Sequence, residues 1–187
     1  MDNKKIAHHA LNFIGGMPEV FEYHNDDKSK TIDIMTCVYD GNKDKAVVST
    51  IGLNETNINK LTENNKNLRV ELIMLALPED DVFGEIISSA AFDIAESEEC
   101  DIGMIIPETV ENYISDAKAS HIVLLNPAYW ENYEPFETDD TVITWLLVAP
   151  ITDDEAIFIE KNDILKFTEK LQEKDVDLTD LWRESCV

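Results

Sequence analysis

The feature that most constrains the fold is a long apolar run that passes directly into a helical pattern. Residues Leu68–Leu77 are almost entirely apolar, which is typical of a strand buried on both faces of a sheet. Pro78 and the acids at 79–81 favour the first turn of a helix beginning there. Apolar residues at helical spacing predict its buried face: Val82, Ile86, Ile87, Ala90, Ala91, Ile94 and Ala95.

Shorter patterns occur along the chain before and after this predicted strand and helix. A helix is predicted at Asp2–Ile14, ended by Gly15 and Gly16, and another at Ile164–Gln172. Thr152 and Glu155 have the spacing of a capping box at the start of a further helix. The predicted strands are Val20–His24, Thr31–Tyr39, Lys45–Leu53, His121–Leu125 and Thr141–Ile151, with a hairpin turn at Asp40-Gly41-Asn42 between the second and third.

Strands and helices are partly segregated along the chain. We therefore predict an α+β fold, in which helices pack on a mixed sheet, and a single domain over residues 1–187. The densest apolar positions of the strands predict the sheet core: Leu72, Met74, Leu75, Val123, Leu125, Trp145, Leu147 and Val148.

The charge is strongly acidic and unevenly distributed. The chain has 39 Asp and Glu against 15 Lys and Arg, a formal net charge of -24. Residues 1–76 hold 11 acids and 9 bases, whereas residues 77–187 hold 28 acids and 6 bases. Nucleic acid and anionic membranes would repel such a chain, and a cationic protein would be attracted. We expect a basic protein partner, with no direct binding of nucleic acid or membrane.

Between Glu79 and Glu160 the only base is Lys118, against 21 acids. Any one acidic cluster is explained by solvation of helix faces and by capping. So many nearly unpaired like charges cost stability through repulsion, which a basic partner would relieve. One cluster predicted to bind this partner comprises Glu96, Glu98, Glu99 and Asp101.

Residues 129–140, the aromatic-acidic segment, mix rings with carboxylates. The predicted partner-binding residues here are Tyr129, Trp130, Tyr133, Glu131, Glu134, Glu137, Asp139 and Asp140. This composition suits an interface anchor that faces Lys and Arg. A loop that folds its aromatic residues onto the sheet explains it equally well. If the segment binds, charge swaps should be worst here and milder at residues 79–81.

Catalytic motifs are absent from the sequence, so we predict no enzyme, no catalytic residues, no cofactor and no metal site. A hydrolase using its carboxylates is the least favoured alternative. Cys37, in an apolar strand, is expected to be a small buried hydrophobe rather than a nucleophile. Three widely spaced cysteines and no signal-peptide pattern indicate a reducing cytoplasm. The adjacent His8 and His9 cannot share a metal, and we expect them to face solvent or a helix end.

Four blocks in order resemble the suppressor-of-fused domain. They are RVELIMLALPED at 69–80, HIVLLNPAYW at 121–130, WLLVAPITDDE at 145–155 and the ending DLTDLWRESCV. In particular, the chain resembles the standalone bacterial members, which include the antitoxins of LXG-type toxins. The animal member carries a further C-terminal region that binds a transcription factor. Because the sequence ends at Val187 without that region, we do not expect this activity here.

The resemblance implies an immunity protein that binds and neutralises a polymorphic toxin encoded next door. If that toxin is a nuclease, its active surface is basic, and an acidic protein can occupy it rapidly. The alternative is an adaptor that holds a basic cellular protein. The family brings no catalytic residues, in agreement with the absence of motifs.

Overall fold

The computed structural model describes residues 2–25, 27–38 and 44–187. The helices in these ranges are α1 (Asn3–Ile14), α2 (Val82–Ser97), α3 (Asp153–Lys161) and α4 (Ile164–Glu173), with a 3-10 turn at Leu53–Glu55. The strands are β1 (Met17–His24), β2 (Thr31–Val38), β3 (Ala46–Ile51), β4 (Lys60–Leu61), β5 (Asn67–Ala76), β6 (Ile105–Ile106), β7 (His121–Leu125), β8 (Phe136–Glu137) and β9 (Thr141–Ile151).

The chain forms two compact units. Unit 1 contains residues 1–100 and 126–147, and unit 2 contains residues 101–125 and 148–187. In unit 1 the strand order is β1-β2-β3-β5-β9, with β4 beside β5 and β8 beside β9. The β5–β9 pair is parallel and its neighbours are antiparallel, so the predicted α+β class with a mixed sheet is confirmed. In unit 2, β6 pairs antiparallel with β7. One domain over residues 1–187 stays a prediction.

The predicted sheet core is buried with one exception. Leu75 is only half-buried, whereas the other seven predicted positions are at most 3% exposed. Helix α2 buries most of its predicted stripe, and only Val82 and Ala95 at its two ends are half-buried. The apolar run and the helical stripe therefore form the core that the sequence predicts.

The predicted start of this helix is wrong. Helix α2 begins at Val82, and Pro78 lies in the turn that follows β5. A carboxylate oxygen of Asp80 accepts the Val82 N–H at 3.1 Å. The carbonyl of Asp81 accepts the N–H of Gly84 at 3.0 Å. Asp80 and Asp81 therefore accept two of the amides at the start of α2 that have no partner within the helix.

Several strand boundaries also differ from prediction. Strand β1 begins at Met17 and includes Pro18, which an edge strand tolerates because its outer N–H groups need no partner. Strand β3 ends at Ile51, and Leu53 belongs to the 3-10 turn. The predicted turn at residues 40–42 lies outside the described residues, as does Tyr39. Strands β2 and β3 are antiparallel, as a hairpin requires.

Helices α1 and α2 cover opposite faces of the unit 1 sheet. Ile32 lines a groove together with Ala91 of α2, so Ile32 marks the α2 face. Met35, three residues further along the same strand, points to the other face, where it pairs with Ser49. Trp145 donates its Nε1–H to Ser49 at 3.2 Å and contacts the rings of α1. The face opposite α2 is therefore the α1 face.

The predicted capping box in unit 2 is confirmed. Thr152 Oγ1 accepts the Glu155 N–H at 3.3 Å, and Glu155 Oε2 accepts the Thr152 N–H at 2.9 Å. Helix α3 begins at Asp153, directly after Thr152, as expected when a capping box pairs the backbone amides of Thr152 and Glu155.

Candidate functional site

The aromatic residues of the aromatic-acidic segment are largely packed inside unit 1. The Trp130 ring is 8% exposed and lies 6.3 Å from the Phe13 ring of α1, at a steep angle. The Tyr133 ring is perpendicular to the Phe13 ring at 5.3 Å. Phe13 in turn lies 5.4 Å from the Trp145 ring of β9. Edge-to-face contacts of this kind stabilise a core beyond the burial of area alone.

Hydrogen bonds fix this arrangement. The Tyr133 hydroxyl accepts the Trp145 N–H at 3.0 Å and lies 2.6 Å from the Thr144 hydroxyl. His9 Nε2 is 2.7 Å from the Glu134 carbonyl, and its ring stacks on Trp145 at 5.6 Å. The expectation that His9 faces solvent or a helix end is wrong, because the ring joins α1 to the segment. The segment folds most of its rings onto the sheet, which was the alternative left open by the sequence.

Tyr129 is the exception among these rings. It is 52% exposed, beside the buried Trp130. A partner could reach this ring directly, whereas Trp130 and Tyr133 can act only by holding the segment in place.

The five acids of the segment fall into two groups. Glu137 pairs with Lys66 at 3.3 Å. Asp140 accepts the hydroxyls of Thr138 and Thr141 at 3.0 and 3.1 Å, and these bonds lower the pKa of its carboxyl. Both acids therefore have local structural roles. All five side chains are exposed, but within the described ranges no ion pair or side-chain hydrogen bond involves the carboxylates of the other three, Glu131, Glu134 and Asp139.

The second predicted acidic cluster follows α2. Glu96, Glu98 and Glu99 are exposed, and a carboxylate oxygen of Glu98 accepts a hydrogen bond from Asn59 at 3.2 Å. Asp101 is also exposed but belongs to unit 2. Because α2 covers the face of the sheet opposite α1, the two predicted clusters lie in different layers. The structure does not bring residues 96–99 together with the aromatic-acidic segment.

The thiols of Cys37 and Cys186 are buried. Burial raises the pKa of Cys37 to about 11. Burial, followed by the neighbouring Glu155, raises the pKa of Cys186 to about 12. A thiol with such a pKa is protonated at neutral pH, which makes it a poor nucleophile. Within the described ranges, no group of three or more His, Cys, Asp or Glu side chains could hold a metal ion.

Unit 1 contains a buried carboxylate, Glu71, within the strand predicted from the apolar run Leu68–Leu77. Glu71 is fully buried, and its oxygens accept the Thr50 hydroxyl at 2.5 Å, the Asn54 side-chain amide at 2.6 Å and the Gly52 N–H at 2.8 Å. Burial raises the pKa of Glu71, and these donors act in the opposite direction. The network joins β3, β5 and the 3-10 turn, which is a structural role.

Unit 2 contains a buried ion pair. Glu155 accepts two hydrogen bonds from Arg183, at 2.6 and 2.8 Å, and a third from the Cys186 N–H at 2.8 Å. Burial opposes ionisation of Glu155, but Arg183 and the amides outweigh it, so its pKa is lowered. The capping-box pattern identified Glu155, but no local signal pointed to a partner 28 residues away. The pair ties the C-terminal residues to the start of α3.

None of the helices in the described ranges combines the length and the apolar character needed to cross a bilayer.

Comparison with known proteins agrees with this fold. The suppressor of fused protein family matches residues 28–184. The chain is 31% identical over 188 residues to the protein named immunity protein YqcF of Bacillus subtilis (strain 168), covering 100% of this chain and 97% of that one.

Solved structures match over nearly the whole chain. A suppressor of fused homologue from Neisseria gonorrhoeae FA 1090 superposes with a TM-score of 0.71 at 16% identity, covering 99% of this chain and 96% of the other. A chain of the Sufu–Fu complex superposes with a TM-score of 0.66 at 12% identity, covering 98% and 91%. On the sequence matches, and with a shared fold, this chain belongs to the suppressor of fused family.

Proposed function

We propose that this chain is an immunity protein that binds and neutralises a cognate toxin of the LXG type, a nuclease, through its acidic surface. The observation that carries the proposal is the 31% identity, over the whole length of this chain, to a protein named as an immunity protein. The toxin is the product of the neighbouring gene, and both proteins meet in the cytoplasm of the producing cell.

The distribution of charge supports a basic partner. The acids at residues 79–81, 96, 98–99, 131, 134 and 139 have exposed side chains. Lys118, the one base between Glu79 and Glu160, itself pairs with Glu184. A nuclease must hold polyanionic substrate, so its active surface is basic. Opposite charges accelerate the encounter of the two proteins, which limits damage to the producing cell.

The proposed role is non-catalytic. The raised pKa values of Cys37 and Cys186 weigh against thiolate chemistry. The buried Glu71 and Glu155 are held by hydrogen bonds within the fold, so they cannot serve an external substrate. Inhibition then rests on occupation of the toxin surface.

Within the aromatic-acidic segment, we propose that Glu131, Glu134, Asp139 and Tyr129 touch the toxin. Glu137 and Asp140 support the segment through Lys66 and the threonine hydroxyls. Trp130 and Tyr133 hold the segment against α1 and β9. Glu96, Glu98 and Glu99 form a separate contact region on the α2 layer. For the acids, this division follows their local partners, since all five carboxylates of the segment are exposed; for the rings, it follows their burial.

The test is a charge reversal with a matched control. The triple variant E131K/E134K/D139K changes the net charge from -24 to -18, and E111K/D116K/E160K makes the same change at exposed positions of unit 2. Each protein is co-expressed with the toxin from the adjacent gene, and cell growth is measured. We expect growth with the wild type and the control, and loss of protection with the segment variant, since breaking a desolvated charge contact costs about 2–5 kcal/mol.

Folding of each variant is verified by its thermal transition. Equal protection by all three proteins would exclude the segment as the interface. Failure of the wild type itself to protect would overturn the immunity function and favour an adaptor for a basic cellular protein.

A further inference from the structure

Strand β1 is the first strand in the order of the unit 1 sheet. It pairs with β2 over all eight of its residues, from Met17 opposite Val38 to His24 opposite Thr31. Within the described ranges 2–25, 27–38 and 44–187, no strand pairs with its other edge. Seven of its eight residues are exposed, and the remaining one, Tyr23, is half-buried. The strand therefore presents a row of backbone donors and acceptors along its outer edge.

This strand is unusually apolar for its exposure. Met17 is 70% exposed, Val20 53% and Phe21 50%. Successive side chains alternate between faces, so Phe21 lies on the α2 face and Val20 on the α1 face. Exposed apolar residues along an unpaired strand edge mark either a contact with another chain or a risk of aggregation.

The surroundings of the strand are acidic. Strand β1 contains Glu19 and Glu22 and no lysine or arginine. Tyr23 reaches across to α2, where its hydroxyl lies against Gly84. Burial, followed by the charges of Glu85 and Asp81, raises the pKa of Tyr23. The acidic start of α2 is therefore close to the strand, and its charge adds to that of the two glutamates.

We propose that the outer edge of β1 docks an extended, lysine- or arginine-bearing segment of the partner, which adds to the sheet as a further strand. The proposal rests on the proposed function in that the partner is the toxin. Main-chain hydrogen bonds supply affinity in this mode of recognition, and side chains on the added strand supply specificity. Here Val20 and Phe21 offer apolar contacts on the two faces, and Glu19 and Glu22 select basic side chains.

A second copy of this chain is a poorer occupant of the edge. Two chains with a net charge of -24 repel one another. In an antiparallel self-pairing with Val20 opposite Phe21, Glu19 of each chain stands directly opposite Glu22 of the other. Like charges in that position destabilise a strand pair. Both considerations favour a basic segment over self-association.

The test uses three synthetic octapeptides as probes. One alternates lysine with valine, and a second replaces the lysines with glutamate. The third is the lysine peptide N-methylated at its four central residues, which keeps the charge and removes hydrogen-bond donors on both edges. Fluorescence anisotropy at physiological salt measures their binding to the full chain. We expect only the unmethylated lysine peptide to bind, with at least a tenfold advantage over the other two.

Matched variants locate the binding. E19K/E22K and E111K/D116K both change the net charge from -24 to -20. We expect E19K/E22K to weaken the lysine peptide about tenfold, and the unit 2 control to weaken it less than twofold. Hydrogen exchange should slow at residues 17–24 of the wild type when the peptide is bound. Equal weakening by both variants, equal binding of the methylated peptide, or unchanged exchange at β1 would each overturn the proposal.

Sedimentation of the chain alone tests the competing occupant. A dimer that E19K/E22K dissociates would show that β1 pairs with itself, which also overturns the proposal. These outcomes are separate from the growth assay. Protection by the wild type combined with negative peptide results would remove the β1 edge and leave the immunity function standing. Selective binding of the lysine peptide at β1 without protection by the wild type would keep the β1 edge as a docking site and remove the immunity function.

Discussion

Two regions of unit 1 combine aromatic and acidic residues, and they use them in different ways. The aromatic-acidic segment, residues 129–140, has most of its rings turned inward, with Tyr129 as the exception, and all five of its acids exposed. Strand β1 with the start of α2 has acids at similar density, but Phe21 remains half exposed and only Tyr23 is partly covered. Similar composition thus accompanies opposite placement of the rings.

The rings differ in burial because different elements pack over the two regions. Helix α1 places His9 and Phe13 over β9, so the rings of the segment have apolar partners within 5.3–6.3 Å. Strand β1 is the first strand in the order of the sheet, and Val20 and Phe21 stay about half exposed there. Burial of a ring therefore depends on a second layer. In unit 1, the rings among acids are thus buried where α1 packs over them and half exposed at the edge of the sheet.

The largest expected effect is the difference in the free energy of unfolding between a variant of a buried ring in the segment and a variant of an exposed ring in β1. Trp130→Ala removes a buried ring and should lower the free energy of unfolding by about 3–5 kcal/mol. Phe21→Ala, at a half-exposed edge position, should change it by less than about 1 kcal/mol. Urea denaturation of the two variants beside the wild type measures both. Comparable losses would mean that Phe21 is as much a core residue as Trp130, and the comparison would fail.

An intermediate effect concerns the contact between β1 and α2. A Cβ at Gly84 would overlap the Tyr23 hydroxyl and lie 2.8 Å from its Cζ. In the wild type, Gly84→Ala should therefore gain none of the usual helix stabilisation and should destabilise the protein. In a Tyr23→Ala background the same change should stabilise it by about 1 kcal/mol, the intrinsic preference of alanine over glycine.

Urea denaturation of the four proteins in this cycle gives the coupling between the two sites. If Gly84→Ala has the same effect in both backgrounds, Tyr23 does not rest on α2. The acidic helix start would then be irrelevant to β1.

The smallest effect is a shift in titration. Burial raises the pKa of Tyr23 above 10.0, and the charges of Glu85 and Asp81 add to the increase. Glu85→Gln should therefore move the pKa back toward its ordinary value, which a tyrosinate absorbance titration can follow after subtraction of Tyr23→Phe.

The sign for stability follows from the raised pKa. The contribution of Tyr23 is complete below pH 10 and is lost as the pH rises through the folded pKa. An unchanged titration in Glu85→Gln would place the helix acids too far from β1 to influence its edge.

Much of the fold could be predicted from local pattern. The α2 stripe, the capping box of Thr152 and Glu155, and seven of eight core positions are confirmed, because each depends on spacing along the chain. The start of α2 was missed because the preference of proline for a first helical turn does not reveal that Pro78 lies in a turn here, or that Asp80 accepts the Val82 N–H. The inclusion of Pro18 in β1 was missed because only an edge position permits it.

The candidate site was less accessible to sequence reasoning. Composition identified the acids, but it could not separate Glu137 and Asp140, which have local partners, from Glu131, Glu134 and Asp139. Lys66 is about seventy residues from Glu137 along the chain and meets it only because β5 and β9 are neighbours. His9 was expected to face solvent or a helix end, since no residue near it in the sequence indicates a contact with the ring of Trp145.

The sequence by itself determined that this chain folds as an α+β protein with a mixed sheet, because apolar periodicity is a local property that burial must satisfy. It also determined that the chain is strongly acidic, since the net charge follows directly from the composition. Only the tertiary structure decided which rings are anchors of the core and which lie on the surface. The physical reason is that burial depends on which layer packs over a strand. At β1 the sheet ends, and the aromatic side chain of Phe21 stays half exposed.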